Sequence, residues 1–394
     1  MVTDKLSERD SYLKDFEATV LACEAEKDGY GIVLDRTAFF CEGGGQYGDG
    51  GTLTLGERVV SVRETVPRRG LVLHLCDEPL PVGATVHGAV DFETRYRNMQ
   101  NHSGEHVVSG LIHARFGFDN VGFHLGRDYV SLDVNGVLTP EELRQVEEAA
   151  NRVVYQNVPI TVDFPSKEEL ARLDYRSKKE LEGEVRIVTV EGYDRCACCA
   201  PHVARTGEIG LIKLLSPMHY KGGLRFYMQC GISALRDYNE KQDTLEAISH
   251  LLSAKQTELV PAVERVQNEL GEARATVAAL RRALTEERLA ATPETAGNTL
   301  FFEQHLDVNS LRALVNGALP RTGGAVAAFL GTDEGGYTYL MASRRYPMRA
   351  AAKAASAALG GKGGGSEEMI QGSIPATRAA ITRWVNDYFK EETL

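Results

Sequence analysis

No stretch of this 394-residue chain approaches the roughly 20 consecutive apolar residues that a membrane helix needs, and residues 1–10 lack the apolar segment of a signal peptide. No membrane partner is expected, and cytoplasmic residence follows. Positive charge is in deficit, because 44 Lys and Arg against 55 Asp and Glu give a formal net charge of -11. A surface of that sign excludes indiscriminate binding of nucleic acid, so such a partner needs local basic patches. Cysteine is scarce and odd in number, seven in all, with Cys196, Cys198 and Cys199 clustered beside His202. That pattern argues for reduced thiols and a metal site and against a disulfide framework. A Walker loop is also missing, since the one Gly-Lys run, residues 360–366, has neither the spacing nor the Lys-Ser/Thr pair.

What is present is enough apolar content, 43%, for two or three cores. Short glycine-punctuated runs at 19–23, 30–34, 51–55, 59–62 and 71–75 alternate as strands, so residues 1–94 read as a small β-barrel-like domain. Residues 95–234 read as a mixed α+β domain, with a helix over 95–116, a second helix over 140–154 capped by Thr139, and strands near 129–134, 160–162, 185–190 and 225–230. Glycine then nearly vanishes. Leu259, Val263, Val266, Leu270, Ala273, Val277, Leu280 and Leu284 form a four-then-three seam, making 235–292 a helical coiled-coil segment with Pro261 in a first turn. The seam fits either the preceding helix or a second copy of the chain, a homodimer. Residues 293–394 return to alternating elements and read as a small α/β domain, so the fold class is α+β throughout.

The strongest chemical signal is a divided ligand set: His102 and His106 four apart on one helix, then Cys198 and His202. Residues four apart stand on one helical face, so both imidazoles can converge on one ion. Imidazole and thiolate suit zinc, whereas calcium and magnesium prefer oxygen. Spacing alone leaves open whether Cys196 or Cys199 replaces Cys198. Two basic patches are candidates for nucleic acid: Arg344, Arg345, Arg349, Lys353 and Lys362 in a stretch free of acidic residues, and a weaker group of Arg172, Arg176, Lys178 and Lys179 that reads better as a solvated helix face.

In the order Thr37-Ala-Phe-Phe-Cys-Glu-Gly43-Gly44-Gly45-Gln46 with Gly48 and Asp49, then His102/His106, then Cys198/His202 followed by residues 203–210, the chain resembles the editing domain of alanyl-tRNA synthetase. With no aminoacylation domain in front, it is similar to the free-standing AlaX type, in its long form with a DHH-associated C-terminal domain. The resemblance implies hydrolysis of tRNA(Ala) mischarged with serine, and in some members glycine. It implies zinc on His102, His106, Cys198 and His202, an aminoacyl pocket lined by Gly43, Gly44, Gly45 and Gln46, and Thr37 as the reader of the serine hydroxyl. The chain departs from the family at residues 199–201, Cys-Ala-Pro where Gly-Gly-Thr is common, and at Cys41 where proline or alanine is usual.

An aminoacyl ester is already activated, so the site has chiefly to aim water and stabilise an oxyanion. Glu105, three residues after His102, is the candidate general base, and Gln46 the second catalytic candidate. Four protein ligands would fill a zinc tetrahedron, which favours an ion that positions the substrate. Two other readings compete. His102-Ser-Gly-Glu105-His106 is also the inverzincin metallopeptidase pattern, with Glu180, Glu182 or Glu184 as a distant ligand, and a closed zinc site could serve a non-catalytic tRNA-binding module.

Overall fold

In this computed structural model residues 3–126, 129–177 and 184–390 are described, and they form two compact units, Met1–Ala247 and Ile248–Leu394. The first unit begins with a closed barrel of β1 (Asp15–Glu26), β2 (Gly29–Leu34), β3 (Gly51–Leu55), β4 (Arg58–Arg68), β5 (Leu71–Cys76) and β6 (Thr85–Val90), in the order β1-β2-β5-β4-β3-β6. Alternation drives closure: Phe16, Ala18 and Val20 of β1 and Val60 and Val62 of β4 point inward with Ile32, Leu34 and Leu53. The sequence points to five of these strands. The sixth, Thr85–Val90, is missed because its Gly88 stands where any Cβ would meet the Phe16 ring, so a packing glycine interrupts the β-branched run.

Asp91 accepts from the Thr94 N–H and opens α1 (Phe92–Phe116), which left-handed Gly117 closes. A buried ion pair ties this helix to the barrel. Arg95 and Asp49 are almost wholly buried, and the guanidinium also donates to the carbonyls of Ala38 (2.6 Å) and Ser11 (3.0 Å). Removing either partner of such a pair costs about 3–5 kcal/mol, so α1 is pinned at its first turn.

Around α1 lie a four-stranded sheet and a three-stranded sheet. The first orders β7 (Asn120–Leu125), β8 (Val130–Val134), β12 (Ile212–Tyr220) and β13 (Gly223–Cys230) as β12-β13-β8-β7; the second is β9 (Ile160–Asp163), β10 (Ile187–Val190) and β11 (Asp194–Ala197). Helix α2 (Pro140–Gln156) carries the expected Thr139 cap, completed by Glu142 into a capping box. Its Leu143, Val146, Ala150 and Val153 share one core with Met99, Val107, Val108 and Ile112 of α1 and with Leu132, Phe226 and Met228 of the sheet. Helix α3 (Ile232–Leu252) follows.

The second unit holds α4 (Leu259–Ala290), with Pro261 in its first turn, and a five-stranded sheet, β14-β15-β16-β18-β17. These strands are β14 (Thr299–Glu303), β15 (Ala325–Thr332), β16 (Gly336–Ser343), β17 (Lys362–Gly365) and β18 (Met369–Ile374), accompanied by α5 (Val308–Ala318), α6 (Met348–Leu359) and α7 (Arg378–Tyr388). The glycine-lysine run supplies the edge strand β17. Gly363 lies so close to Gln371 and the Tyr339 hydroxyl that a Cβ there would collide, which is why glycine builds this edge. Along the seam, Leu259 is buried, while Val263, Val266, Leu270, Val277 and Leu280 are exposed. The fold is α+β as expected: closed barrel, mixed α+β region, helical segment, small α/β sheet. Among the described residues no helix is long and apolar enough to cross a membrane.

Candidate metal centre

The middle of α1 is unusual for a buried helix, because its hidden face is polar: Asn98, Gln100, Asn101, His102, Ser103, Glu105, His106 and Ser109 are all buried. Such groups need partners, and β11, the loop after it and the glycine turn of the barrel supply them. The donor atoms of His102, His106, Cys198 and His202 all lie within 4.8 Å of one another. Cys198 Sγ stands 3.5 Å from His102 Nε2 and 3.4 Å from His202 Nε2. A tetrahedron built from metal bonds of about 2.0–2.3 Å has edges of about 3.3–3.6 Å, which the two Cys198 spacings match. Among the described residues, neither Cys196 nor Cys199 joins this set.

Each ring is oriented from behind. His102 Nδ1–H donates to Gln46 Oε1 at 2.8 Å, His106 Nδ1 meets Asp194 Oδ2 at 2.9 Å, and His202 Nδ1 meets Ser103 Oγ at 3.0 Å. Fixing Nδ1 leaves Nε2 of each imidazole for a metal, the arrangement by which outer contacts tune ligand basicity. Gln46 reaches His102 from a tight turn in which Gly43 and Gln46 exchange backbone hydrogen bonds and Gly44 and Gly45 are left-handed, φ 60° and 84°. A Cβ on Gly45 would strike the Phe123 carbonyl, so only glycine lets the turn dock on β7.

Electrostatics favour the ligating forms. Burial by itself pushes the Cys198 thiol up, yet the imidazoles, His102 foremost, hold it well below the ordinary range. Burial opposes charge on His106, but the Asp194 hydrogen bond and then Cys198 hold it well above the usual value. Burial, then His106, lowers His202 to about 3, which leaves it neutral and able to ligate. Cys199, by contrast, is solvent-exposed and stands outside the ligand set.

The cluster borders a cavity of about 590 Å³ whose wall includes Gly44, Gly45, Glu105 and Phe123. Glu105 is buried, and its Oε1 accepts from Ser109 Oγ at 2.6 Å and from Asn120 Nδ2. Gln46 is the orienter of His102, and Gly43 sits behind the wall. Thr37 is fully buried in the barrel, where its hydroxyl lies 2.9 Å from His74 Nε2 and accepts from the Phe39 N–H; it is not part of the cavity wall. His74 Nδ1 faces the Ile32 carbonyl at 2.9 Å and must donate there, so Nε2 accepts the Thr37 proton.

Arg344 and Arg345 follow β16, Lys353 is on α6 and Lys362 on β17, all exposed, while Arg349 pairs with Glu367 at 3.5 Å. Arg176 corrects the reading of a solvated face: it is mostly buried, and its Nε binds Asp194 Oδ1 at 2.7 Å, behind His106. Lys178, Lys179, Glu180 and Glu182 lie outside the described residues, and Glu184 lines the cavity without joining the ligand set. Sequence reasoning missed Asp194, Arg176, Ser103 and Arg186. A short-range signal existed for Asp194 alone, a carboxylate four residues before Cys198 on the strand leading into the ligand loop.

Comparison with known proteins places the chain among tRNA synthetase-related sequences. Residues 185–231 match the second additional domain of threonyl and alanyl tRNA synthetases, and residues 11–94 match the class II (A) tRNA synthetases. The alanyl-tRNA editing protein AlaX-L of Pyrococcus horikoshii is 26% identical over 95% of both chains. The mouse alanyl-tRNA editing protein Aarsd1 is 26% identical over 98% of both. The alanine–tRNA ligase of Pyrococcus furiosus is 30% identical over 94% of this chain, which spans 42% of that longer protein. The chain is thus a homologue of the AlaX-type alanyl-tRNA editing proteins and shares segments with the class II tRNA synthetases.

Proposed function

We propose that the chain is a trans-editing deacylase that hydrolyses tRNA(Ala) mischarged with serine, and with glycine as a second substrate, in the cytoplasm. The observation that carries this reading is the convergence of three imidazoles and one thiol beside a cavity that His102, His106 and Cys198 line, in a chain homologous to editing proteins along nearly its whole length. His102, His106, Cys198 and His202 would hold zinc, which when bound supplies a Lewis acid or an anchor for the aminoacyl end. Gln46, Asp194 and Ser103 keep the rings aimed.

In the reaction the oxygen of a water bonds to the ester carbonyl carbon, the bond from that carbon to the ribose oxygen breaks, and a proton of the water ends on the departing ribose hydroxyl. Glu105 would carry that proton, a role supported by its carboxylate standing on the cavity wall with Ser109 and Asn120 as partners. Thr37 is enclosed in the barrel with its proton committed to His74, so it would accept from a serine hydroxyl with its remaining lone pair only where the pocket opens toward it. A site that hydrogen-bonds a hydroxyl rejects the analogue lacking it by roughly 10⁴- to 10⁵-fold, which is how charged alanine would be spared, though the same hydroxyl contact does not account for glycine removal. Binding of the tRNA body falls to Arg344, Arg345, Arg349, Lys353 and Lys362 of a DHH-associated-like second unit, and the exposed seam of α4 suits a second copy of the chain.

Purified chain incubated with tRNA(Ala) carrying serine, glycine or alanine tests this directly. Serine and glycine esters should be lost while alanine persists. Peptide cleavage without ester loss would return the inverzincin reading, and zinc-dependent folding without deacylation the non-catalytic one.

A further inference from the structure

A second buried cation stands beside the ligand loop and is not used by the mechanism above. Arg186, just before β10, is 7% exposed. Its Nε donates to the Glu8 carbonyl at 2.9 Å, and its Nη1 to the carbonyls of Cys198 and Ala200 at 2.8 and 2.9 Å. All three acceptors are neutral, so the guanidinium braces the loop while its charge goes unmatched by any hydrogen-bonded carboxylate among the described residues. Nη2 is buried and makes no hydrogen bond. A buried charged donor without an acceptor is costly, and a guanidinium's preferred acceptors are phosphate and carboxylate oxygens.

The same side chain lines the cavity that the metal cluster borders, and a second cavity of about 550 Å³ shares Glu8, Phe164 and Glu184 with it. The adjoining space can admit more than an amino acid. Phe164, 38% exposed, stands where the two meet, an aromatic surface able to stack a base. The carboxylates of Glu8 and Glu184 on the shared wall repel anions, which confines a phosphate to the reach of Arg186, and they suit the ammonium of an aminoacyl group.

We propose that Arg186 Nη2 and the Phe164 ring form a nucleotide subsite, the guanidinium taking a phosphate oxygen and the ring the base of the terminal nucleotide whose ester faces the cluster. This rests on the ester-hydrolase reading for its ligand. Binding, however, can be measured without turnover.

The test is calorimetric titration of the full zinc-loaded chain with AMP and with adenosine. Wild type should bind AMP at least about tenfold more tightly, the size expected of one charged hydrogen bond. Arg186→Gln, titrated at saturating zinc because the same guanidinium braces the Cys198 loop, should abolish that preference while leaving adenosine affinity unchanged; Phe164→Ala should weaken both ligands alike. Equal binding of AMP and adenosine by wild type, which needs no variant, overturns the proposal, and so does an Arg186→Gln chain that loses both ligands equally. A chain that prefers AMP yet leaves every aminoacyl ester intact keeps the subsite and removes the deacylase reading.

Discussion

The Asp194 carboxylate holds His106 Nδ1 at 2.9 Å through one oxygen and Arg176 Nε at 2.7 Å through the other. Burial disfavours its charge, yet His106 and Arg176 together hold its carboxyl below the usual range. One side chain therefore sets both the tautomer and the basicity of a metal ligand. Asp194→Asn should weaken zinc affinity about 10- to 100-fold, the usual effect of losing an outer contact, with little change in thermal midpoint of the zinc-saturated chain. Competition with a chromogenic chelator measures it; unchanged affinity would reduce Asp194 to packing.

The three clustered cysteines should separate cleanly. Cys198→Ser should lose most bound zinc, whereas Cys196→Ser and Cys199→Ser should each retain one equivalent by elemental analysis. Loss of the metal from the Cys199 variant would contradict the ligand set.

How much of this is legible in the sequence depends on how local each signal is. The imidazole pair can be read because helical spacing alone puts His102 and His106 on one face, whereas Cys198 and His202 are readable only as ligand-type residues close together in a loop after Ala197. The Thr139 cap and the barrel strands follow from equally short patterns. Strand β7, residues 120–125, and β12, residues 212–220, escape because Gly122 and Pro217 break their runs, and the latter sits in a bulge between Leu215 and Met218. Asp194, Arg176 and Arg186 escape for a different reason: each meets its partners only after β10 and β11 pair and pack on α1. The α4 seam is readable as a pattern, but which surface covers its middle is not written in that pattern.

Glu105→Gln keeps the size of the side chain and an acceptor for Ser109 and Asn120 but removes the base. Turnover on seryl-tRNA(Ala) should fall about 10²- to 10⁴-fold with zinc content unchanged. A variant as fast as wild type would retire Glu105 as the proton carrier.

His74 titrates in a predictable direction. Burial lowers its pKa from 6.5 to about 4. The unfolded chain therefore takes the proton first, so the contribution of His74 is complete above pH 6.5 and is lost as pH falls from there toward about 4, about 3 kcal/mol in all. Imidazole NMR should find His74 neutral with its proton on Nδ1 at pH 5.5; a protonated ring there would contradict the Thr37 geometry.

The proposed role of Thr37 gives a specificity forecast. Thr37→Val should erode the preference for serine over alanine esters, read as the ratio of their kcat/KM values, and leave zinc stoichiometry alone. An unaltered ratio would remove Thr37 from substrate selection.

The central claim is that four convergent side chains hold one zinc ion on which ester hydrolysis depends. The most direct measurement follows seryl-tRNA(Ala) deacylation by the same preparation before chelation, after chelation and after stoichiometric zinc is returned, with metal content determined at each stage. The account predicts one zinc per chain, activity lost with the metal and regained with it, and neither in a His102→Ala/Cys198→Ala variant. Full activity in metal-free protein would contradict it.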